Sequence, residues 1–116
     1  MLTRRAALAR LVRGRPQPPI PQRLHATAVK PTVISLAWRP VAGRHVVYKL
    51  FRDGRHLATA RHPRFDDHSA RPKRTYRYTV AARVGRDDSR RSRPLVVHTP
   101  APAPAAAPNR PVSLPQ

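Results

Sequence analysis

The sequence predicts an all-β protein, an antiparallel sandwich, from two observations. In residues 34–38 and 76–84, apolar side chains occupy every second position, which places them on one face of an extended strand. Between these runs, the pair Asp53-Gly54 is flanked by alternating apolar residues, a pattern typical of a tight hairpin because both residues tolerate a positive φ. Two half-buried strands and a hairpin therefore define the middle of the chain.

The strand signals recur in a fixed order along the chain. They are LHATA (24–28), ISLAW (34–38), YKLFRDG (48–54), FDD (65–67), ARPKRTYRYTV (70–80) and SRPLVVHTP (92–100). This ordered set resembles a fibronectin type III domain of bacterial or phage type, an immunoglobulin-like β-sandwich. The resemblance implies a seven-stranded antiparallel sandwich, and it makes Tyr76 the tyrosine-corner residue whose hydroxyl bonds to upstream backbone. Ala70 and Lys73 depart from the family pattern, which usually has Leu and a turn Gly there.

Composition divides the chain into three segments. Residues 1–20 form a basic N-terminal arm without any acid, residues 21–99 hold the sandwich, and residues 100–116 are a Pro/Ala-rich tail. Proline favours polyproline II in the tail, so we expect an extended C-terminal arm. The arginines of the N-terminal arm, which we expect to bind an anionic surface, are Arg4, Arg5, Arg10, Arg13 and Arg15.

Alternation assigns the apolar positions to the interior, with Trp38 as the largest side chain and Tyr48, Tyr76 and Tyr78 as the other aromatic core residues. The full predicted interior is Leu24, Ala26, Ile34, Leu36, Trp38, Val46, Tyr48, Leu50, Tyr76, Tyr78, Val80, Ala82, Leu95 and Val97.

The opposite positions predict an outer sheet face with cations, scattered aliphatics and the aromatic Phe51. Such a face is suited to docking on a protein or carrying a stacked base, and it is equally consistent with a plain solvated surface. In the loop of residues 85–92, we expect the two acids to pair with neighbouring arginines. The predicted partner-binding residues are Lys49, Phe51, Arg77, Arg83, Arg86, Arg90 and Arg91.

Charge is the dominant feature of the composition. The 116 residues include 24 Lys plus Arg and 5 Asp plus Glu, for a formal charge of +19. Such a field attracts acidic protein surfaces, nucleic acid or another polyanion. A solvated cationic coat, typical of a GC-rich genome, is the alternative for part of this charge.

The sequence contains few groups for catalysis. Cysteine and glutamate are absent, and no nucleophile elbow, phosphate loop or dinucleotide fingerprint occurs. His62, Asp66, Asp67 and His68 form the densest cluster of metal-ligand types, but a turn and strand segment explains them better. We therefore expect no enzyme activity, cofactor or metal.

These observations predict a non-enzymatic structural or interaction protein that docks into a larger assembly. By analogy of fold, a head or tail accessory protein of a tailed-phage virion, made in the cytoplasm, fits best. The alternatives are a sequence-nonspecific nucleic-acid-binding protein and a secreted carbohydrate-binding or spacer module. No run approaches the ~20 apolar residues of a membrane span, and residues 1–20 leave export and mitochondrial import open as targeting alternatives.

Overall fold

The computed structural model describes residues 17–103, so predictions on residues 1–16 and 104–116 lie outside it. Its strands are β1 (His25–Val29), β2 (Ile34–Ala37), β3 (Val46–Arg52), β4 (Arg55–Ala60), β5 (Arg64–Asp67), β6 (Thr75–Val84), β7 (Asp87–Asp88) and β8 (Leu95–His98). The first sheet has the order β1-β2-β5. The second has the order β4-β3-β6-β7, with β8 also paired to β6. All pairings are antiparallel, which confirms the predicted all-β sandwich.

The seventh strand of the predicted set is present in two parts. On the edge of β6 that does not face β3, Val84 pairs with Asp87 of β7, and Thr75 pairs with His98 of β8. Residues 89–94 interrupt the strand between these parts. Residues 17–103 therefore contain eight strands where the sequence predicted seven.

The hairpin between β3 and β4 has the predicted turn. Asp53 and Gly54 both adopt positive φ, 52° and 85°, as a two-residue turn of this type requires. The Asp53 amide donates to the carbonyl of Arg77 at 2.8 Å, and the Arg77 amide donates to Asp53 Oδ1 at 3.0 Å. These bonds tie the turn to β6.

The core lies between the two sheets. Of the fourteen residues that alternation assigned to the interior, ten are buried in it, and Leu24, Ala26, Val46 and Leu95 are partly buried and pack against it. Tyr78, Leu50 and Val80 are fully buried, and Trp38 packs edge-to-face on Tyr48 with ring centroids 5.2 Å apart. Further residues of the core or packed against it, which the alternation did not identify, lie in loops, in the short strand β5, at the end of β4 or beside a β-bulge in the β3–β4 pair, which breaks the period of two. They are Val41, Leu57, Ala60, Phe65 and Ala70.

Two tyrosine hydroxyls fasten loops to the sandwich. Tyr76 OH accepts a hydrogen bond from the Arg71 amide at 2.8 Å, which is the tyrosine corner that the resemblance implied. Tyr48 OH accepts from the Val41 amide at 2.9 Å. Both tyrosines therefore combine a buried ring with a satisfied polar end.

A buried carboxylate joins the two sheets at one end of the sandwich. Asp67, at the end of β5, is 2% exposed. Its Oδ2 accepts from Arg52 Nη1 at 2.9 Å and from Tyr78 OH at 2.6 Å, so β5 of the first sheet is bonded to β3 and β6 of the second. Its Oδ1 accepts from the amide and the hydroxyl of Ser69 at 3.0 and 2.7 Å. The guanidinium of Arg52 also lies over the ring of Tyr76, 4.9 Å from its centroid.

The pKa values of this cluster follow from its hydrogen bonds. Burial alone raises the pKa of Asp67, but the bonds from Tyr78, Ser69 and Arg52 outweigh burial and hold the pKa below its ordinary value of 3.8. Burial, followed by the bond to Asp67, raises the pKa of Tyr78. Asp67 is therefore the anion of the cluster and Tyr78 a protonated donor.

Asp67→Asn should lower the free energy of unfolding by about 3 kcal/mol at neutral pH, because it leaves the partly buried Arg52 without its counter-ion. A carboxyl whose folded pKa is lowered contributes its full stability above the ordinary pKa, and this contribution falls as pH drops through the folded value. Urea unfolding across acidic pH should show the two proteins converging below about pH 4. Asp66→Asn, an exposed neighbour with the same charge change, is the control and should have little effect. A difference between wild type and Asp67→Asn that does not change with pH contradicts this account.

Lys73→Gly should raise the free energy of unfolding by about 1 kcal/mol. Lys73 has a φ of 56°, a left-handed conformation that costs an L-residue energy and that glycine adopts freely. Its amide bonds to the carbonyls of Thr99 and Pro100 survive in the glycine variant. Lys73→Ala removes the same charge and keeps the strain, so urea unfolding of the two variants separates the effects. Equal stability of the two variants would show that the strain contributes nothing.

Candidate docking surface

The outer face of the second sheet is the side of β4, β3, β6 and β8 that points away from the core. Antiparallel register places its side chains in rows across the sheet. Phe51 pairs with His56 and Thr79, Lys49 with Thr59 and Ala81, Val47 with Arg83, Arg77 with Val96, and Thr75 with His98.

Exposure varies widely across this face. Val96 is 60% exposed, whereas Ala81 is only 3% exposed although its register position points outward. Val47 and Phe51 are half-buried. The sequence predicted an aromatic and aliphatic residues exposed among cations, whereas in the structure Phe51 and Val47 are half-buried and Val96 is the exposed aliphatic residue of this face.

One acid pairs with two cations of the outer face and compensates one of their two charges. Asp88 of β7 accepts from Lys49 Nζ at 3.0 Å and lies 3.5 Å from Arg83 Nε. The prediction that Asp88 pairs with arginines of its own loop is therefore wrong. The cause is the pairing of β7 with the end of β6, which brings Asp88 opposite Arg83 and onto the sheet face.

Arg91 covers the aromatic residue of this face. Its guanidinium carbon lies 3.7 Å from the centroid of the Phe51 ring, well within cation–π range. Its Nη1 donates to the carbonyl of Gly54 at 3.4 Å, and His56 packs edge-on against the same ring at 5.7 Å. Phe51 therefore supports a guanidinium, and the ring face beneath Arg91 is not open to a base or a sugar.

Two serines fix the segment that carries Arg91. Ser89 and Ser92 are buried, their amides donate to the carbonyls of Ala82 and Val80 at 2.8 Å, and their hydroxyls accept from the amides of the same two residues at 2.9 and 3.0 Å. The two hydroxyls thus accept the β6 hydrogen bonds that main-chain carbonyls would accept if residues 89–92 formed a regular strand. Neither serine was predicted to have a role, because a hydroxyl that takes over a ladder bond leaves no periodic signature in the sequence.

The other predicted binding arginines of the described region are exposed. Arg77 lies on the outer face, Arg86 lies in the turn between β6 and β7, and Arg90 lies between the two serines. No salt bridge to them or to Arg91 occurs within residues 17–103. The predicted arm arginines Arg4, Arg5, Arg10, Arg13 and Arg15 fall outside that range.

The described part of the chain contains neither a metal-ligand cluster nor a membrane-spanning helix. No three residues among its His, Asp and other ligand types are grouped to hold an ion. In the segment that held the densest candidates, Asp67 is engaged by Arg52, whereas His62 and His68 are exposed. No helix there is long and apolar enough to cross a bilayer.

Comparison with known proteins gives matches by structure. Neither a protein-family model nor a curated protein matches the chain. The fibronectin type III domain of human fibronectin type III domain containing protein 3 superimposes with a TM-score of 0.68 at 18% identity, covering 82% of this chain and 94% of that one. The fn3 domain of the human collagen alpha-1(XX) chain has a TM-score of 0.63 at 23% identity, over 78% and 92% of the two chains.

A third match involves an enzyme. The family 28 exopolygalacturonase of Yersinia enterocolitica has a TM-score of 0.65 at 21% identity, over 72% of this chain. The chain spans 20% of the length of that enzyme, so the likeness concerns one part of it. The sheet order, the tyrosine corner and these structural matches lead to one conclusion: the chain has the fold of a fibronectin type III domain.

Proposed function

We propose that the protein is a non-enzymatic interaction module that binds an acidic partner protein through the outer face of the second sheet. The uncompensated charge there carries the proposal. Asp88 is shared between Lys49 and Arg83, while exposed arginines on and beside the face have no salt bridge among the described residues. Surfaces of one sign attract partners of the other and speed their encounter.

The aromatic residues favour a protein partner over single-stranded nucleic acid or carbohydrate. Platforms for bases use open aromatic rings, and we expect a carbohydrate-binding module to expose aromatic residues as well. The whole chain has one Trp, three Tyr and two Phe. Trp38 and the three tyrosines are buried, Phe65 packs against the core, and Phe51 lies under Arg91. What the outer face offers is guanidinium groups, which suit carboxylates.

The larger setting of the module remains a sequence-based proposal. A tailed-phage virion is the assembly we propose, on composition and analogy of fold, with residues 1–20 binding an anionic surface and residues 100–116 lying along a neighbouring subunit. Mass spectrometry of proteins that copurify with the native chain tests it. Capsid or tail proteins are the expected result, and recovery of nucleic acid alone would contradict it.

Replacing Arg77, Arg86 and Arg90 by Ala should weaken binding of a fluorescein-labelled oligo-glutamate peptide about tenfold, since each exposed charge contributes roughly 0.5 kcal/mol. Fluorescence anisotropy measures the Kd. The matched control replaces Arg39, Arg44 and Arg64, which are exposed and lie after β2, in the β2–β3 loop and on β5 of the first sheet, with the same loss of charge. In this control, binding of the peptide should weaken about twofold. Equal losses in both triple variants would show that the net charge, and not this face, binds the probe.

Replacing Arg4, Arg5, Arg10 and Arg13 by Ala should leave the melting temperature unchanged and weaken binding of the same peptide severalfold. The reason is that the sequence places these arginines in a basic arm outside the sandwich. Thermal melts and anisotropy on the full chain measure both effects. Unchanged peptide binding would remove the arm from the docking surface.

A further inference from the structure

We infer that Arg91 is the anchor of the docking surface, a guanidinium held in place before binding that receives a carboxylate of an acidic protein segment. This inference rests on the proposed function and adds to it a particular residue and a ligand group. Three features carry it: a fixed backbone, a fixed side chain and unused donors.

The backbone of residues 89–92 is fixed on both sides of Arg91. Ser89 and Ser92 each make an amide bond and a hydroxyl bond to β6, and their hydroxyls also donate to the carbonyls of Arg90 and Arg93 at 2.8 and 3.1 Å. In a regular strand, successive side chains point to opposite faces. Here the buried serines are three residues apart, so Arg90 and Arg91 are both exposed.

The side chain of Arg91 is fixed as well. The Phe51 ring lies 3.7 Å beneath the guanidinium carbon, and the Gly54 carbonyl accepts one hydrogen bond from Nη1. A free arginine side chain loses up to about 2 kcal/mol of conformational entropy when a ligand immobilises it. Folding has already restricted Arg91, so binding a ligand requires less ordering than at Arg90.

The donors of Arg91 remain available to a ligand. A guanidinium has five N–H donors in a planar fork, and the described residues give Arg91 the one hydrogen bond to Gly54. A planar carboxylate matches this fork with two parallel hydrogen bonds. Asp53, an acid of the neighbouring turn, is held through Oδ1 by the Arg77 amide. Arg91 remains an exposed residue while it stacks on Phe51.

The choice of a protein carboxylate follows from the same stack. The Phe51 face on which the guanidinium lies is closed to a base, so a nucleic acid gains phosphate contacts there without direct stacking on the ring. Single-stranded DNA of matched charge is therefore the competing probe in the test, and tighter binding of DNA than of oligo-glutamate would overturn the assignment of a carboxylate.

Anisotropy with oligo-glutamate on the full chain tests the anchor with matched single variants. Arg91→Ala should weaken binding about tenfold, and Arg90→Ala, its exposed neighbour with the same charge change, about twofold. Arg91→Lys should recover little, because it keeps the charge and loses the fork. Phe51→Leu keeps the charge of Arg91 and removes the cation–π stack, so binding of oligo-glutamate should weaken about threefold. Thermal melts check that each variant is folded.

The outcomes separate the anchor from the proposed function. Equal losses for Arg90→Ala and Arg91→Ala, or full recovery by Arg91→Lys, overturn the anchor and leave a diffuse acidic docking surface standing. Absence of wild-type binding to oligo-glutamate overturns both. A loss at Arg91 that exceeds the loss at Arg90, with a smaller loss in Phe51→Leu, supports the anchor.

Discussion

Asp67 is an anion placed between two sheets, and the arrangement at that end of the sandwich follows from how its charge is compensated. A carboxylate with 2% exposure is tolerated only when donors surround it, and here Arg52, Tyr78 and Ser69 supply them from three separate parts of the chain. Since β3 and β6 belong to one sheet and β5 to the other, these bonds limit how the sheets can slide. The same demand places Arg52 over Tyr76, so the tyrosine corner and the ion pair support each other.

This use of acids shapes the surface. The chain has five acidic residues, all of them Asp. Asp67 forms a buried ion pair with Arg52, and Asp88 pairs with Lys49 and Arg83. Asp53 accepts a hydrogen bond that ties the β3–β4 turn to β6. Acids engaged within the fold are poor partners for the arginines that surround it. The positive field around the outer face is thus partly a consequence of how the sandwich is held together, and it favours an external counter-charge.

Sequence pattern predicted the parts of the fold that obey a period. Alternation located the strands and the interior around Trp38, and the Asp53-Gly54 pair located the hairpin, because strand geometry and turn sterics act locally. It missed Leu57, which lies beside a β-bulge, and Phe65, because Phe65 is the one apolar residue of β5 and a single apolar residue shows no alternation. It also missed the stack of Arg91 on Phe51, because that contact depends on how residues 89–92 are hydrogen-bonded alongside β6. Contacts between segments distant in sequence have no periodic signature, so the candidate site was predicted as a set of residues without its geometry.

The strand that pairs with the outer edge of β6 is interrupted at residues 89–94, and this interruption determines how Arg90 and Arg91 are presented. A regular strand through residues 89–92 would alternate its side chains and turn one of the two arginines inward. Ser89 and Ser92 instead pair with β6, and their hydroxyls accept from the buried amides of Ala82 and Val80, so these two donors remain satisfied. The segment therefore remains ordered while both arginines stay outside. Because serine hydroxyls make hydrogen bonds to β6 that main-chain carbonyls make in a regular strand, the segment stays ordered and still exposes Arg90 and Arg91 side by side. A docking surface that selects carboxylates requires arginines that are both exposed and ordered before binding. A mobile arginine loses conformational entropy when it binds, and this loss offsets much of the free energy gained from its hydrogen bonds.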